Sequence, residues 1–255
     1  MKKLNFAIIC FSLLFLANIF LYLYQPLGEN FFIIGDAIVI FLSFLAFISG
    51  IYAFKLHGFK SLQGKALLFL SIGIFFWFLG ETTWGIYEIF LGIKSPFASL
   101  ADAFWLIGYP FFLIGLYSLC KLSCSPIKKA KLLFLILIAI FICSFMLYLA
   151  FPNLTSSELS IQEKFSTSGY VIGDMLILVF LTFATTNLLQ AKTFKAYSLT
   201  IVAIMLMSLA DIYYMDFSEV YEVGNLIDLA WNLGYILLAL GFLYHRETIK
   251  NLLKK

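Results

Sequence analysis

Apolar runs of about 20 residues follow one another along almost the whole chain, each long enough to cross about 30 Å of hydrocarbon as a helix. They lie at about 4–24, 31–54, 66–90, 100–120, 131–151, 168–190, 197–216 and 225–245. A membrane barrel would instead show segments of about ten residues alternating in polarity. These runs are continuous, and only 12% of the residues are charged, against about a quarter in a soluble domain. The sequence predicts an all-α, polytopic transmembrane helical bundle of eight helices. Lys2 and Lys3 before the first run imitate a secretory signal, but the apolar part outruns an h-region and no small-residue cleavage site follows, so it reads as a helix.

Basic residues set the expected orientation. Lys2, Lys3, Lys55, Lys60, Lys65, Lys121, Lys128, Lys129, Lys131, Lys192, Lys195, Arg246, Lys250, Lys254 and Lys255 fall on one side, and only Lys94 and Lys164 on the other. That asymmetry places both termini in the cytoplasm, in a plasma or other cytoplasmic membrane. The net charge of +3 is then a topology signal, and no basic domain exists to hold nucleic acid. Cys10, Cys120, Cys124 and Cys143 fall within spans or on the cytoplasmic side, which argues against a disulfide framework. Small apolar roles suit them; Cys120 and Cys124 could alternatively carry palmitate.

The second half of the chain echoes the first. Lys2-Lys3, Leu21-Tyr22 and Pro26 match Lys128-Lys129, Leu147-Tyr148 and Pro152 at an offset of 126. "IGD" ends at Asp36 and again at Asp174. Asp102, Trp105, Gly108, Tyr109 and Gly115 match Asp228, Trp231, Gly234, Tyr235 and Gly241, once more at 126. With only four Trp in the chain, two in register form a strong signal. The expectation is two parallel four-helix repeats, 1–126 and 127–255, within one integral membrane domain, related by an axis along the membrane normal.

Acids concentrate toward the outer side. Sixteen residues separate Lys65 from Glu81 and Lys195 from Asp211, which at about 1.5 Å per residue puts both acids about 24 Å from those lysines. Asp36 and Asp174 are expected one or two turns inside the outer ends of their helices, and Glu88, Asp102 and Asp228 nearer the surface. Trp77, Glu81, Trp84 and Glu88 share one helix stripe; Asp102, Trp105 and Tyr109 make a second; Asp228, Trp231 and Tyr235 a third; Asp211 and Tyr214 continue the pattern. A carboxylate facing lipid costs several kcal/mol, so these stripes should turn inward and wall an outward-opening cavity. Plainer roles stand beside this one. Ser99 with Asp102 and Asn225 with Asp228 fit a capping pattern. Trp84, Tyr87 and Tyr214 fit an interfacial aromatic belt. Gly108, Gly115, Gly234 and Gly241 fit close helix packing.

Several chemistries are missing. His57 and His245 lie at cytoplasmic ends and neither is expected to have a second ligand nearby, so no metal site is expected. There is no nucleophile elbow or P-loop, and no span holds a lysine at the depth a retinal Schiff base needs. Arg246 lies too far inside to clamp an outer anion. No cofactor is expected, and no catalytic residue can be assigned.

"GETTWGIYEIFLGIKSPFASLADAFWLIGYP", Gly80 to Pro110, resembles a multi-pass sensor segment of archaeal and bacterial membrane signalling proteins. The resemblance rests on Trp84, Tyr87, Glu88, Pro96, Ala101, Asp102, Trp105, Gly108 and Tyr109. In that class such segments precede cytoplasmic output modules. Only a short tail follows the last span here, so the resemblance implies a separate signalling partner. Gly35-Asp36 and Ser208-Ala210-Asp211 are more loosely similar to elements of the lysoplasmalogenase family of eight-helix membrane enzymes. Three functions follow as expectations. The first is a ligand-sensing or binding module for a small cationic or amphipathic ligand; the second is a proton- or cation-coupled transporter; the third is an intramembrane lipid hydrolase.

Overall fold

The computed structural model describes residues 2–94, 98–122, 128–157, 159–188, 193–217 and 221–254, and of 2, 3, 186–188 and 215–217 the backbone alone. Eight helices account for nearly all of them: α1 (Lys2–Tyr24), α2 (Phe32–Phe54), α3 (Leu62–Gly85), α4 (Leu100–Lys121), α5 (Lys129–Thr155), α6 (Ile161–Leu188), α7 (Phe194–Phe217) and α8 (Asp228–Leu253). No strand occurs among the described residues. Local chemistry fixes several starts. Ser61 caps α3 by accepting from the Gly64 N–H at 2.9 Å. Ser99 and Asp102 form a capping box on α4, and Ser160 and Glu163 form a reciprocal one on α6. That last box starts α6 well before the expected residue 168. Asp174 consequently sits thirteen residues into its helix, about 20 Å from the start. The expectation of one or two turns is corrected.

Seven of the eight helices are long and apolar enough to span a membrane. The exception is α8, so the expected eight apolar spans become seven. Its surroundings explain why. From Asp228 to Lys250 no residue of α8 is exposed, because α1, α2 and α7 pack around it. A helix shielded by protein has no lipid to match, so it tolerates Asp228, Asn232 and His245 inside. The opposite holds for α1 and α5. Only 11% of each membrane-length window is buried, and Phe6, Leu13, Leu16, Phe20, Phe134 and Phe141 stand exposed as a lipid-facing surface.

Neighbour relations close a ring: α2 on α3, α3 on α4, α4 on α6, α6 on α7, α7 on α8, and α8 back on α2. α1 lies outside against α8, and α5 outside against α6 and α7. Trp77, Phe112, Leu70, Ile74, Leu116, Tyr235 and Phe242 belong to the core between the ring helices. Small residues let the backbones approach. A Cβ at Gly108 would lie 2.7 Å from the Trp77 indole, and one at Gly80 would run into Trp105. Gly115, Gly234 and Gly241 are crowded in the same way by Leu70, Met207 and Thr200, so the glycines serve close packing.

Candidate functional site

Each of the six ring helices contributes one carboxyl group to the interior: Asp36 from α2, Glu81 from α3, Asp102 from α4, Asp174 from α6, Asp211 from α7 and Asp228 from α8. α3 adds a second, Glu88, through a π-helical turn over Ile86–Phe90. The wider turn carries Glu88 into the buried interior, within hydrogen-bonding reach of Asp36. Such turns gather at functional positions. Asp36, Glu88, Asp102, Asp174 and Asp228 are all buried. Glu88, Asp102 and Asp228 lie in the end turns of their helices and are enclosed there by protein.

Aromatic donors serve most of these acids. Tyr235 donates to Glu81 Oε1 at 2.7 Å, and the Trp105 indole N–H also reaches that carboxyl. Trp231 donates to Asp211 Oδ1 at 2.7 Å. Asp174 accepts from Ser208 at 2.9 Å and also from the Tyr109 hydroxyl. Tyr170 donates to Asp102 Oδ1 at 2.8 Å, while Oδ2 is used by the Ser99 N–H at 2.6 Å. Asp102 therefore both caps α4 and faces inward. Asp228 differs from the expected capping pair with Asn225. Its carboxylate takes the Tyr221 hydroxyl and the Gly224 N–H, each at 2.8 Å, and the Asn225 side chain serves Ile227 N instead. Burial, then the charge of Asp228, pushes the Tyr221 phenol in the α7–α8 connection well above its ordinary value.

The acids also feel one another's charge. Asp174 is within electrostatic range of Asp211, Glu81 of Asp211 and Asp228, and Asp36 of Glu81, Glu88 and Asp228. Asp211, Glu81, Trp105, Trp231 and Tyr170 keep partial accessibility even though they lie among the buried residues of the ring. Trp84 and Tyr214 turn inward rather than forming a belt. Trp84 packs on Trp105, with ring centroids 5.6 Å apart; Tyr214 packs on Tyr221 at 5.0 Å and Trp231 at 6.1 Å. No lysine or arginine pairs with Asp36, Glu81, Asp102, Asp174, Asp211 or Asp228 among the described residues. Chemically the site is a set of acceptors ringed by indole and phenol, suited to hold positive charge or to pass protons.

Sequence reasoning missed Tyr170 and Tyr221, and placed Tyr22 only in the repeat and Ser208 only in a resemblance; all four complete the hydrogen bonding of the acids. Tyr22 and Tyr221 hold Asp228, and Tyr170 holds Asp102. Tyr170 stood as a tyrosine within an apolar run, and Tyr221 in the polar stretch between two runs. The histidines require a correction. His57 Nε2 and His245 Nε2 lie 2.9 Å apart, tying the α2–α3 connection to the far end of α8. Arg246 on the same turn donates to the Tyr52 carbonyl and stacks over its ring at 3.7 Å. No group of three or more metal-ligating side chains occurs among the described residues. Cys10, Cys120 and Cys143 form no disulfide among the described residues; Cys124 and Pro96 lie outside the described residues.

The fold and its lipid-facing surface define an integral, multi-pass membrane protein. No protein family, curated protein or solved structure matches the chain.

Proposed function

We propose that the protein is a ligand-binding membrane module that takes a small cationic or amphipathic ligand among its central acids and aromatic rings. The carrying observation is that every ring helix places a carboxyl group among buried or half-buried residues, that indole and phenol groups donate to them, and that no lysine or arginine pairs with these six acids among the described residues. An organic cation gains from both partners: the carboxylates supply countercharge, and the faces of Trp84, Trp105 and Trp231 supply a quadrupole worth about 0.5–2 kcal/mol each. The ligand enters from the acid-bearing end, with both termini on the cytoplasmic side. A ligand-dependent shift of the ring helices is passed to a separate signalling partner. Two four-helix repeats, each giving an acid–Trp pair (Glu81 with Trp105, Asp211 with Trp231), form the two walls of the site.

Intrinsic tryptophan fluorescence of the purified protein tests this. Titration with tetramethylammonium, choline and primary amines is expected to give a saturable change that Trp231→Phe diminishes. A flat response across that panel would overturn the reading.

A second reading has one observation behind it. Asp174, Asp211, Glu81, Asp36 and Glu88 are each within electrostatic range of the next, an arrangement that a proton- or cation-coupled transporter could use. Flux into proteoliposomes that vanishes in Glu81→Gln and Asp211→Asn would favour this transporter over a sensor.

A further inference from the structure

A second polar centre lies beside the aromatic acids, between α1, α2 and α8. Tyr22 of α1 is its hub. Its hydroxyl accepts from Asn232 Nδ2 of α8 at 3.4 Å and donates to Asp228. It lies so close to α2 that a Cβ on Gly35 would be 3.3 Å from it; the next residue is Asp36. The α7–α8 connection closes over this corner. Gln25 holds the Gly224 carbonyl at 2.9 Å, and the Gly224 N–H is held by Asp228. Val223 sits against Gly35.

Three side chains here leave oxygen atoms without hydrogen-bond partners: Asp36 Oδ2, Asn232 Oδ1 and Asn18 Oδ1. Their residues are 1%, 0% and 2% exposed. Asn18 lies one helical turn before Tyr22 and so on the same side of α1, the helix that packs on α8. Buried acceptors without partners are rare in folded proteins, and a bound ion is one of the standard reasons for them. Here the acceptors are all oxygens, of carboxylate, amide and phenol type. That set suits hard cations and is wrong for transition metals, which favour imidazole and thiolate. The charge of the cation is decided by the surroundings. The cost of desolvating an ion rises with the square of its charge, and this corner is buried between α1, α2 and α8, with the neighbouring Asp228 already engaged by Tyr22, Tyr221 and the Gly224 N–H. Amide and phenol oxygens, which carry no formal charge, make up most of the ligand set.

We propose that this corner is a binding site for a monovalent alkali cation, coordinated by Asp36 Oδ2, Asn232 Oδ1 and the Tyr22 hydroxyl, with Asn18 Oδ1 at its inner edge. The ion ties α1 to the ring, which the helix otherwise touches mainly through α8. The inference does not require the aromatic site to bind anything.

The test is the thermal unfolding midpoint of the full chain in detergent, in NaCl, KCl, LiCl or choline chloride at one ionic strength, with a CaCl2 series alongside. One alkali ion is expected to raise the midpoint saturably, by about 5–10 °C at a hundred times its Kd. Asn232→Leu and Asp36→Asn should each abolish that rise. Trp231→Phe should leave it intact, which separates this site from the aromatic one. Equal midpoints in all four monovalent salts would overturn the proposal. So would a response to calcium alone, or an alkali response undiminished in both variants. The comparison of salts on the unaltered protein decides the matter even if a variant fails to fold.

Discussion

Replacing Tyr235 by Phe removes one oxygen atom and keeps a ring that is almost wholly enclosed, at 1% exposure. Its only effect through contacts should be on Glu81, whose Oε1 accepts the hydroxyl at 2.7 Å. Removing a donor from a buried acceptor costs about 1–3 kcal/mol, the upper part applying to a charged acceptor. That is about a 5- to 150-fold change in the folding constant. Equilibrium unfolding in mixed detergent micelles, followed by circular dichroism, measures it. The discriminating step is a cycle with Glu81→Met, which fills similar space and accepts no hydrogen bond. In that background the hydroxyl is itself orphaned, so Tyr235→Phe should become neutral or stabilising. An equal cost in both backgrounds would show that the hydroxyl acts elsewhere, and the assignment of Glu81 as its partner would fall.

Gly108→Ala should destabilise by about 1–3 kcal/mol, since the new methyl meets a rigid indole at 2.7 Å; Gly234→Ala, crowded by the flexible Met207, should cost less by the same thermal assay. Ser99→Ala should lower stability by about 1 kcal/mol through loss of the α4 cap, and a midpoint unchanged within error would count against the box. Burial lowers the His57 pKa from its ordinary 6.5. The unfolded chain therefore takes up the proton first as pH falls, and the stability present above about 6.5 is lost on acidification through the folded value. His57→Gln should flatten this part of the pH–stability profile, read from unfolding midpoints between pH 8 and pH 5.

What was legible in the sequence was what periodicity and length encode. The existence of the helices, the inward turn of Asp36, Glu81, Asp174 and Asp211, and the packing role of Gly108 and Gly234 follow from spacing and from the cost of polar groups in lipid. The length of α6 was also written there, in Ser160 and Glu163, but an apolar-run criterion starts where the grease starts and passes over the cap. α8 misled in the opposite direction. Its charges reflect neighbours from α1, α2 and α7, a tertiary fact that no local window contains. The pairing of His57 with His245 spans 188 positions, and the π-turn that delivers Glu88 depends on backbone geometry without a residue signature. Tyr170 and Tyr221 became site residues only when the ring closed and brought α6 and the α7–α8 connection over the acids.

The enclosure of α8 has a consequence for biosynthesis. Ribosomes deliver helices in order, and this one comes last of the eight, into a bilayer it matches poorly on its own. Its place is prepared by earlier arrivals: the faces of α2 and α7 must wait, with Asp36 and Asp211 already committed to the membrane, until their missing neighbour arrives. Insertion of the eighth helix and closure of the circle are thus one event, and a nascent chain stalled before residue 228 should present those unshielded acids to quality-control proteases.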